Sequence, residues 1–311
     1  MKLSIITVNL NDKEGLRKTM DSVFSQSFTD YEYIIVDGGS TDGSIELIKE
    51  AGDKVDKWVS EPDTGIYNAM NKGISMASGE YVNFLNAGDW YVEEVLNDIF
   101  GQERDADILY GDQYFIREGG KLQLKTKPAK LTLFDFYWGS LYHQTSFIRR
   151  KLFDNDLYNE KLKIISDAEF YLKKIIIEGC SYQHVGLPVV YYNTGGLSSS
   201  DKAGEIIKEE RKYLHDKYFP KYVLDDYAEL LQYKRSPLYT LIPELNRTTG
   251  FKHFVARVDR VLLSLYKVIK RKYKGYINDV SAFKMISRYV GTYCLPRFFR
   301  WPCVLNWGNF I

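Results

Sequence analysis

Four places in this 311-residue sequence carry side chains whose type and spacing allow chemistry. The first is GEYVNFLNAGD, residues 79–89. Here Tyr81, Val82, Phe84 and Leu85 form an apolar run broken by Asn83 and closed by Asn86, Ala87, Gly88 and Asp89. Such a run reads as a buried strand ending in a small-residue turn, where a carboxylate is an oxygen ligand on a rigid support; an ordinary turn has the same composition. The second is Asp37-Gly38-Gly39-Ser40-Thr41-Asp42. Its glycines let backbone approach a ligand closely, and Asp37 is able to accept from a base N–H or a ribose hydroxyl. The pattern is not GxGxxG, so no dinucleotide fold is indicated. The third, Ser166-Asp167-Ala168-Glu169, opens a helical pattern, a position the helix dipole favours for acids whatever their function. The fourth is His143-Gln144, just before an apolar run.

The elements around these residues alternate. Residues 2–8 and 31–36 read as strands, 55–60 as a short strand, and 14–25, 44–51 and 67–77 as helices, the first with Leu16, Met20 and Val23 on one face. Strands alternating with helices through short loops predict a doubly wound sheet of parallel strands. The loops 7–11, 37–42, 63–65 and 86–89 then line up along one edge. Past a strand over 107–114 the alternation loosens. It gives a helix at 131–137, a strand at 143–149, a helix at 166–178, a strand at 182–191, a glycine-rich loop at 194–200 and a charged helix at 205–218.

Composition is that of a globular chain, with 25 Tyr. Its three cysteines have neither CxxC nor zinc-finger spacing, so a reducing compartment and no structural zinc are expected. The first apolar run is too short for a signal peptide, and no stretch approaches the ~20 apolar residues of a membrane span. Net charge is +1 but uneven: residues 249–311 hold 12 Lys/Arg against two Asp, a net +10 that leaves −9 for residues 1–248. A boundary is expected near residues 222–237, giving a catalytic domain over 1–225 and a basic, aromatic-rich, mainly helical region over 226–311.

Four stretches in order, IITVNLN, IIVDGGSTDGS, DTGIYNAMNKGI and GEYVNFLNAGD, resemble the successive motifs of inverting family-2 glycosyltransferases of bacterial cell-envelope type. The resemblance covers roughly residues 2–215 and implies a GT-A fold, a Rossmann-like nucleotide-sugar-binding sheet with flanking helices. It implies a nucleotide-diphosphate sugar donor bound by Thr7, Val8, Asn9, Asp37, Asp63, Asn68, Asn71 and Asn86, with Asp37 on the base. Asp89 falls in the family's DxD-type motif and becomes the ligand of a Mg²⁺ or Mn²⁺ ion. Asn86 and Gly88 stand where many relatives have acids, and Met70 replaces a common Arg. Asp167 aligns with the catalytic base, which takes the acceptor proton as oxygen attacks the anomeric carbon, and Ser166 replaces the Glu before it. Glu169 is the fallback base. His143, Gln144, Glu169 and Ser198 are candidates for acceptor or diphosphate contact.

The tail places Phe251, Phe254, Val255, Val258, Val261, Leu262, Leu265, Val268 and Ile269 at helical spacing, with cations mostly opposite. That pattern fits packing on its own domain, a partner, or an anionic membrane interface. No nucleic-acid module is present. The expected activity is transfer of one sugar to a glycan hydroxyl, the glycan growing on a lipid carrier at the cytoplasmic membrane face. A catalytically silent nucleotide- or glycan-binding scaffold and a sugar nucleotidyltransferase are the alternatives.

Overall fold

The computed structural model describes residues 1–193 and 203–235, with the isolated positions Arg257, Arg260, Ser264 and Lys267. Ser198 and its loop, and the amphipathic tail helix expected from Phe251, lie outside the described residues apart from those four positions. Two compact units, Met1–Tyr227 and Ala228–Ile311, divide the chain. All the strands among the described residues belong to the first.

The chain opens with β1 (Leu3–Asn9), α1 (Lys13–Phe24), β2 (Tyr31–Asp37), α2 (Ser44–Ala51), β3 (Lys57–Ser60), α3 (Ile66–Met76) and β4 (Tyr81–Phe84). The four strands lie in the order β3-β2-β1-β4, all parallel, with Asn9 level with Asp37 and Asp37 with Ser60. Their carboxyl ends therefore share one edge, as the alternation requires. Side-chain period 2 splits each strand between two cores. Leu3, Ile5, Tyr33 and Ile35 pack with Leu16, Met20 and Val23 of α1 and Leu47 of α2. Ile6, Val8, Ile34 and Val36 face Met70 and Ile74 of α3 on the other side. There α3 lies so close to the sheet that a Cβ on Gly73 would sit 2.5 Å from Ile6 Cγ2.

After β4 come β5 (Trp90–Tyr91), α4 (Val95–Phe100), β6 (Ile108–Ile116), β7 (Leu122–Lys125), α5 (Leu133–Trp138), β8 (Ser146–Arg149), α6 (Ser166–Tyr171), β9 (Tyr182–Asn193), α7 (Ala203–Tyr218) and α8 (Lys221–Arg235). Here, where the alternation loosens, the sheet becomes mixed. Strand β8 runs antiparallel between β4 and β6, β9 lies parallel to β6, and β5 and β7 close the edges antiparallel. Two boundaries also move. His143–Thr145 forms a 3₁₀ turn ahead of β8 and not its first residues. The helix expected over 166–178 keeps α geometry only to Tyr171 and continues in π winding over Leu172–Ile177.

Strands β4 and β8 pair through just Tyr81↔Arg149 and Val82↔Ile148. Beyond them the fully buried Asn83 side chain takes over, its Nδ2 donating to the carbonyls of Gln144 (3.0 Å) and Ser146 (2.8 Å). Its Oδ1 accepts the Tyr91 hydroxyl at 2.5 Å. The two strands part at this residue, and the space between them leads to the candidate site.

Candidate active site

The turn after β4 and the residues ahead of β8 meet through side chains. Asn86 Nδ2 lies 3.0 Å from His143 Nε2, and His143 Nδ1 lies 3.1 Å from Asp167 Oδ2. With the amide nitrogen donating to Nε2, the imidazole carries its proton on Nδ1 and donates it to the carboxylate. The other oxygen, Asp167 Oδ1, accepts from the Tyr67 hydroxyl at 3.0 Å and the Ala168 amide at 2.8 Å. The single hydroxyl proton of Tyr67, on α3, is shared between that oxygen and the Ile164 carbonyl at 2.6 Å, which ties α3 to the entry of α6. The side chains of His143 and Asp167 remain 15% and 14% exposed, so both are partly open to a ligand. Asn86, His143 and Asp167 thus form one hydrogen-bonded line from the end of a parallel strand to the first turn of a helix. Tyr67 is the member that pattern reading missed; its hydroxyl is invisible as a site group because apolar spacing assigns it to the core face of α3.

Asp89 sits three residues past Asn86 with 5% exposure, and its Oδ1 accepts the Asn193 amide at 3.0 Å. Burial pushes its carboxyl up to about 7, against the pull of the Asn193 amide, His143 and the Gln144 side chain. Among the described residues no three His, Cys, Asp or Glu side chains gather as a complete metal cage. One carboxylate on a rigid turn is nevertheless the kind of protein contribution a hard divalent ion accepts when phosphates complete its shell. The residues fit such an ion in that limited sense.

On the parallel-strand side, Asp37 is fully buried and committed. It accepts from Asn9 Nδ2 (2.9 Å), the Ser40 hydroxyl (2.6 Å) and amide (2.9 Å), the Gly39 amide (3.1 Å) and the Ser60 hydroxyl (2.6 Å). Burial alone would raise this carboxyl; the hydrogen bonds from Ser40, Ser60 and Asn9 outweigh it and hold the group below its ordinary value. With five protein donors, Asp37 shapes the loop and has no free oxygen face for a base. Asp63 is the carboxylate left partly open there. It caps the Gly65 amide at 2.9 Å, and a Cβ on Gly38 would lie 2.7 Å from its Oδ2. Glycine at position 38 therefore makes room for Asp63. Thr7 turns inward to Tyr33 and the Leu85 carbonyl, and Val8 packs in the core. Asn9 Oδ1 and Asn86 Oδ1, by contrast, are buried oxygens without a hydrogen-bond partner among the described residues. Buried acceptors seldom stay unpaired, so each has capacity for a ligand hydroxyl or N–H.

Three expected site residues are occupied elsewhere. Asn68 Nδ2 and Asn71 Nδ2 both donate to the Glu160 carboxylate (3.0 and 2.8 Å), and Asn71 also bonds both main-chain groups of Tyr158. They fasten α3 to the segment ahead of α6. Glu169 accepts from Lys217 (2.8 Å), Tyr218 (2.7 Å) and Asn159 (2.8 Å), all on the far side of α6 from His143. Two residues beyond Asp167 on a helix is the opposite face, so Glu169 lines a separate polar cavity of about 250 Å³ with Asp156, Asn159, Ser166 and Lys173. The fallback base is thus turned away from the cleft. Gln144 is buried beside Asp89.

Residues 4–176 match the family described as Glycosyl transferase family 2. A PGL/p-HBAD biosynthesis glycosyltransferase of Mycobacterium bovis (strain BCG / Pasteur 1173P2) is 29% identical over 218 residues, covering 66% of this chain and 82% of that protein. The crystal structure of S. aureus TarS 1-349 in complex with UDP-GlcNAc aligns over 94% of this chain and 92% of that one, with a TM-score of 0.59 at 20% identity. Another TarS 1-349 structure aligns over 62% of this chain and 61% of that one, with a TM-score of 0.54 at 24% identity. The structural likeness is one of fold.

Proposed function

The chain belongs to glycosyl transferase family 2, a glycosyltransferase with the GT-A fold, and from that premise we propose a single-displacement, inverting sugar transfer for which Asp167 is the base. The observation that carries this reading is the Asn86–His143–Asp167 line, which joins the donor-side turn to a carboxylate on the far wall of the cleft. The donor is a nucleotide-diphosphate sugar. Its nucleoside lies over the ends of β1 and β2, where Asn9 Oδ1 and Asp63 still have hydrogen-bonding capacity, with Asp37 holding the loop beneath. Asn86 Oδ1 is placed to accept from a donor hydroxyl.

The acceptor hydroxyl hands its proton to Asp167 as its oxygen attacks the anomeric carbon. The bond from that carbon to the diphosphate oxygen breaks, and the electron pair leaves with the nucleotide. A carboxylate already accepting from Tyr67 and His143 is held aimed at the cleft, so little reorganisation is needed when the proton arrives. His143 acts through Asp167 as a positioning residue. Asp89 would hold the divalent ion, whose positive charge offsets that of the departing diphosphate. A glycan acceptor on a lipid carrier, with the basic tail against an anionic cytoplasmic membrane face, is the setting we favour from the charge of residues 249–311.

The test is turnover with a panel of UDP-, GDP- and dTDP-sugars, with and without Mn²⁺, on wild type and Asp167→Asn. The variant keeps nucleotide affinity, because Asp167 faces the acceptor, and loses at least ~10²-fold in rate, the lower scale for removing a general base. An Asp167→Asn protein that transfers at the wild-type rate would overturn the assignment.

A further inference from the structure

Two cations beside the proposed base have no carboxylate partner among the described residues. Lys127 follows β7, where its main-chain amide donates to Asp112 Oδ1 at 3.0 Å and its ammonium lies 3.9 Å above the Tyr142 ring. Arg211, on α7, donates to the carbonyls of Tyr137 (3.3 Å) and Gly139 (3.4 Å). Both are therefore fixed to the segment that runs directly into His143, whose ring holds Asp167. Two other partly buried cations have carboxylate partners, Lys174 with Asp156 and Glu178, and Lys57 with Glu32.

The missing counter-charge has an electrostatic cost. Burial lowers the Lys127 ammonium to about 8 against the pull of Asp135 and then Asp167, with Arg211 near enough to add to the lowering, and burial pulls Arg211 down against Asp167. Arg117 and Lys125 on the β6–β7 hairpin lie over the Phe115 ring, 5.3 and 5.9 Å from its centroid, and Phe115 in turn packs 6.2 Å from Tyr142. Positive charge and aromatic surface thus continue outward from the base along the hairpin. None of the contacts of Lys127 or Arg211 described above reaches the loops at the ends of β1 to β4, where the donor belongs.

We propose that the acceptor is an anionic sugar, bearing a phosphate or carboxylate close to the hydroxyl that is glycosylated, and that Lys127 and Arg211 bind that charge. This rests on the transferase reading above and adds the acceptor's chemical class. Arg211 offers a planar fork suited to either oxyanion, and Lys127 a point charge on a half-buried stem. A neutral acceptor would leave both charges uncompensated and gain little from the site.

Ligand-observed NMR on the full chain with saturating nucleoside diphosphate tests it, because weak probe binding is readable without knowing the natural acceptor. The probes are glucose 6-phosphate, glucuronate and methyl glucoside. The expected result is binding of one or both charged sugars at least fivefold tighter than methyl glucoside, weakened by added salt. Lys127→Met, which leaves the main-chain bond to Asp112 intact, removes that preference. Arg211→Met does the same, and if its loss from the Tyr137 and Gly139 carbonyls prevents folding, Lys127→Met decides alone. The phosphate and carboxylate arms say which anion is preferred. Equal binding of the three probes, or no binding of either charged one, overturns the proposal. So does a tenfold loss of nucleoside diphosphate affinity in Lys127→Met, which would assign the cations to the donor. Failure of the transferase reading looks different: wild type then binds no nucleoside diphosphate, whatever the sugars do.

Discussion

Asp167 and Glu169 give the sharpest contrast in this molecule, since one helical turn holds two carboxylates with opposite expected behaviour. The Glu169 side chain is 5% exposed and accepts three hydrogen bonds, one from the Lys217 ammonium, itself 44% exposed. Glu169→Gln keeps one acceptor oxygen, loses the charge and leaves Lys217 uncompensated. Water reaches Lys217 and softens the loss, so the cost is about 2 kcal/mol, below that of breaking a fully buried pair. In a domain of this size each kcal/mol moves the melting midpoint about 2–4 °C, so a fall of roughly 4–8 °C is expected. Asp167→Asn keeps shape in a partly open site and should shift the midpoint by less than about 2 °C, as substitutions costing under ~0.5 kcal/mol do. Its transfer rate should fall at least ~10²-fold, whereas Glu169→Gln assayed well below its midpoint should retain most of its rate. Burial would raise the Glu169 carboxyl, but Lys217, Tyr218 and Asn159 hold it below the usual value. Its stabilisation is thus present above the ordinary carboxylate range and lost as pH falls through the folded value, so the midpoint gap between wild type and Glu169→Gln narrows in acid. Differential scanning fluorimetry and initial rates of nucleotide release read both effects. A Glu169→Gln protein that melts like wild type yet transfers as poorly as Asp167→Asn would refute the reasoning.

Asp89 behaves in the opposite sense. Its folded value, pushed up to about 7 by burial, lies above the unfolded one, so in the protein without nucleotide or cation the contribution of this one group is greatest below the ordinary carboxylate range. That contribution is lost as pH rises through about 7, so the melting midpoint of Asp89→Asn should gain on that of wild type between the ordinary carboxylate range and pH 7; a midpoint difference that does not change with pH would count against it. Gly73→Ala places a methyl 2.5 Å from Ile6 Cγ2 and should cost about 1–3 kcal/mol, measured by urea unfolding, because α3 has to move off the sheet. Full-length protein should sediment with anionic vesicles at low salt and be released at high salt, each Lys/Arg near the surface adding ~1 kcal/mol; indifference to such vesicles would set the membrane setting aside.

The parallel half of the fold is legible in the sequence because a helix links each strand there to the next, and the alternation fixes direction as well as order. After β4 the buried strands carry no such mark: the apolar run of β8 reads the same whether it runs with or against its neighbours. Asn86, Asp89 and Asp167 each stand at the end of an element, where local pattern marks them as candidates; the roles proposed for them come from the family resemblance. Asn68 and Asn71 cannot be judged that way. Their partner Glu160 lies about ninety residues on, and a helix-face amide looks alike whether it meets a ligand or a carboxylate of its own chain. Asp37 reads equally as a loop organiser or a ligand, and the hydroxyls of Ser40 and Ser60 decide for the former. Lys127 gives no signal, because a lone cation between elements has no periodicity, and Arg211 none because it is one of several cations on the charged helix α7.

Asn83 has a consequence for how the cleft is dimensioned. Elsewhere in the sheet neighbouring backbones stay at the spacing that main-chain hydrogen bonds impose. Past Val82 the separation of β4 from the chain entering β8 is spanned by one amide, reaching the Gln144 and Ser146 carbonyls while gripped from behind by Tyr91. The spacing between the turn that carries Asn86 and the turn that carries His143, which their hydrogen bond spans, is consequently gauged by the length of a side chain. Serine would be too short to bridge it, glutamine would push the walls apart by a methylene, and leucine would strand three buried polar groups at about 1–3 kcal/mol each. A family member that varies this position would be expected to admit a differently sized sugar with every residue of the Asn86–His143–Asp167 line unchanged.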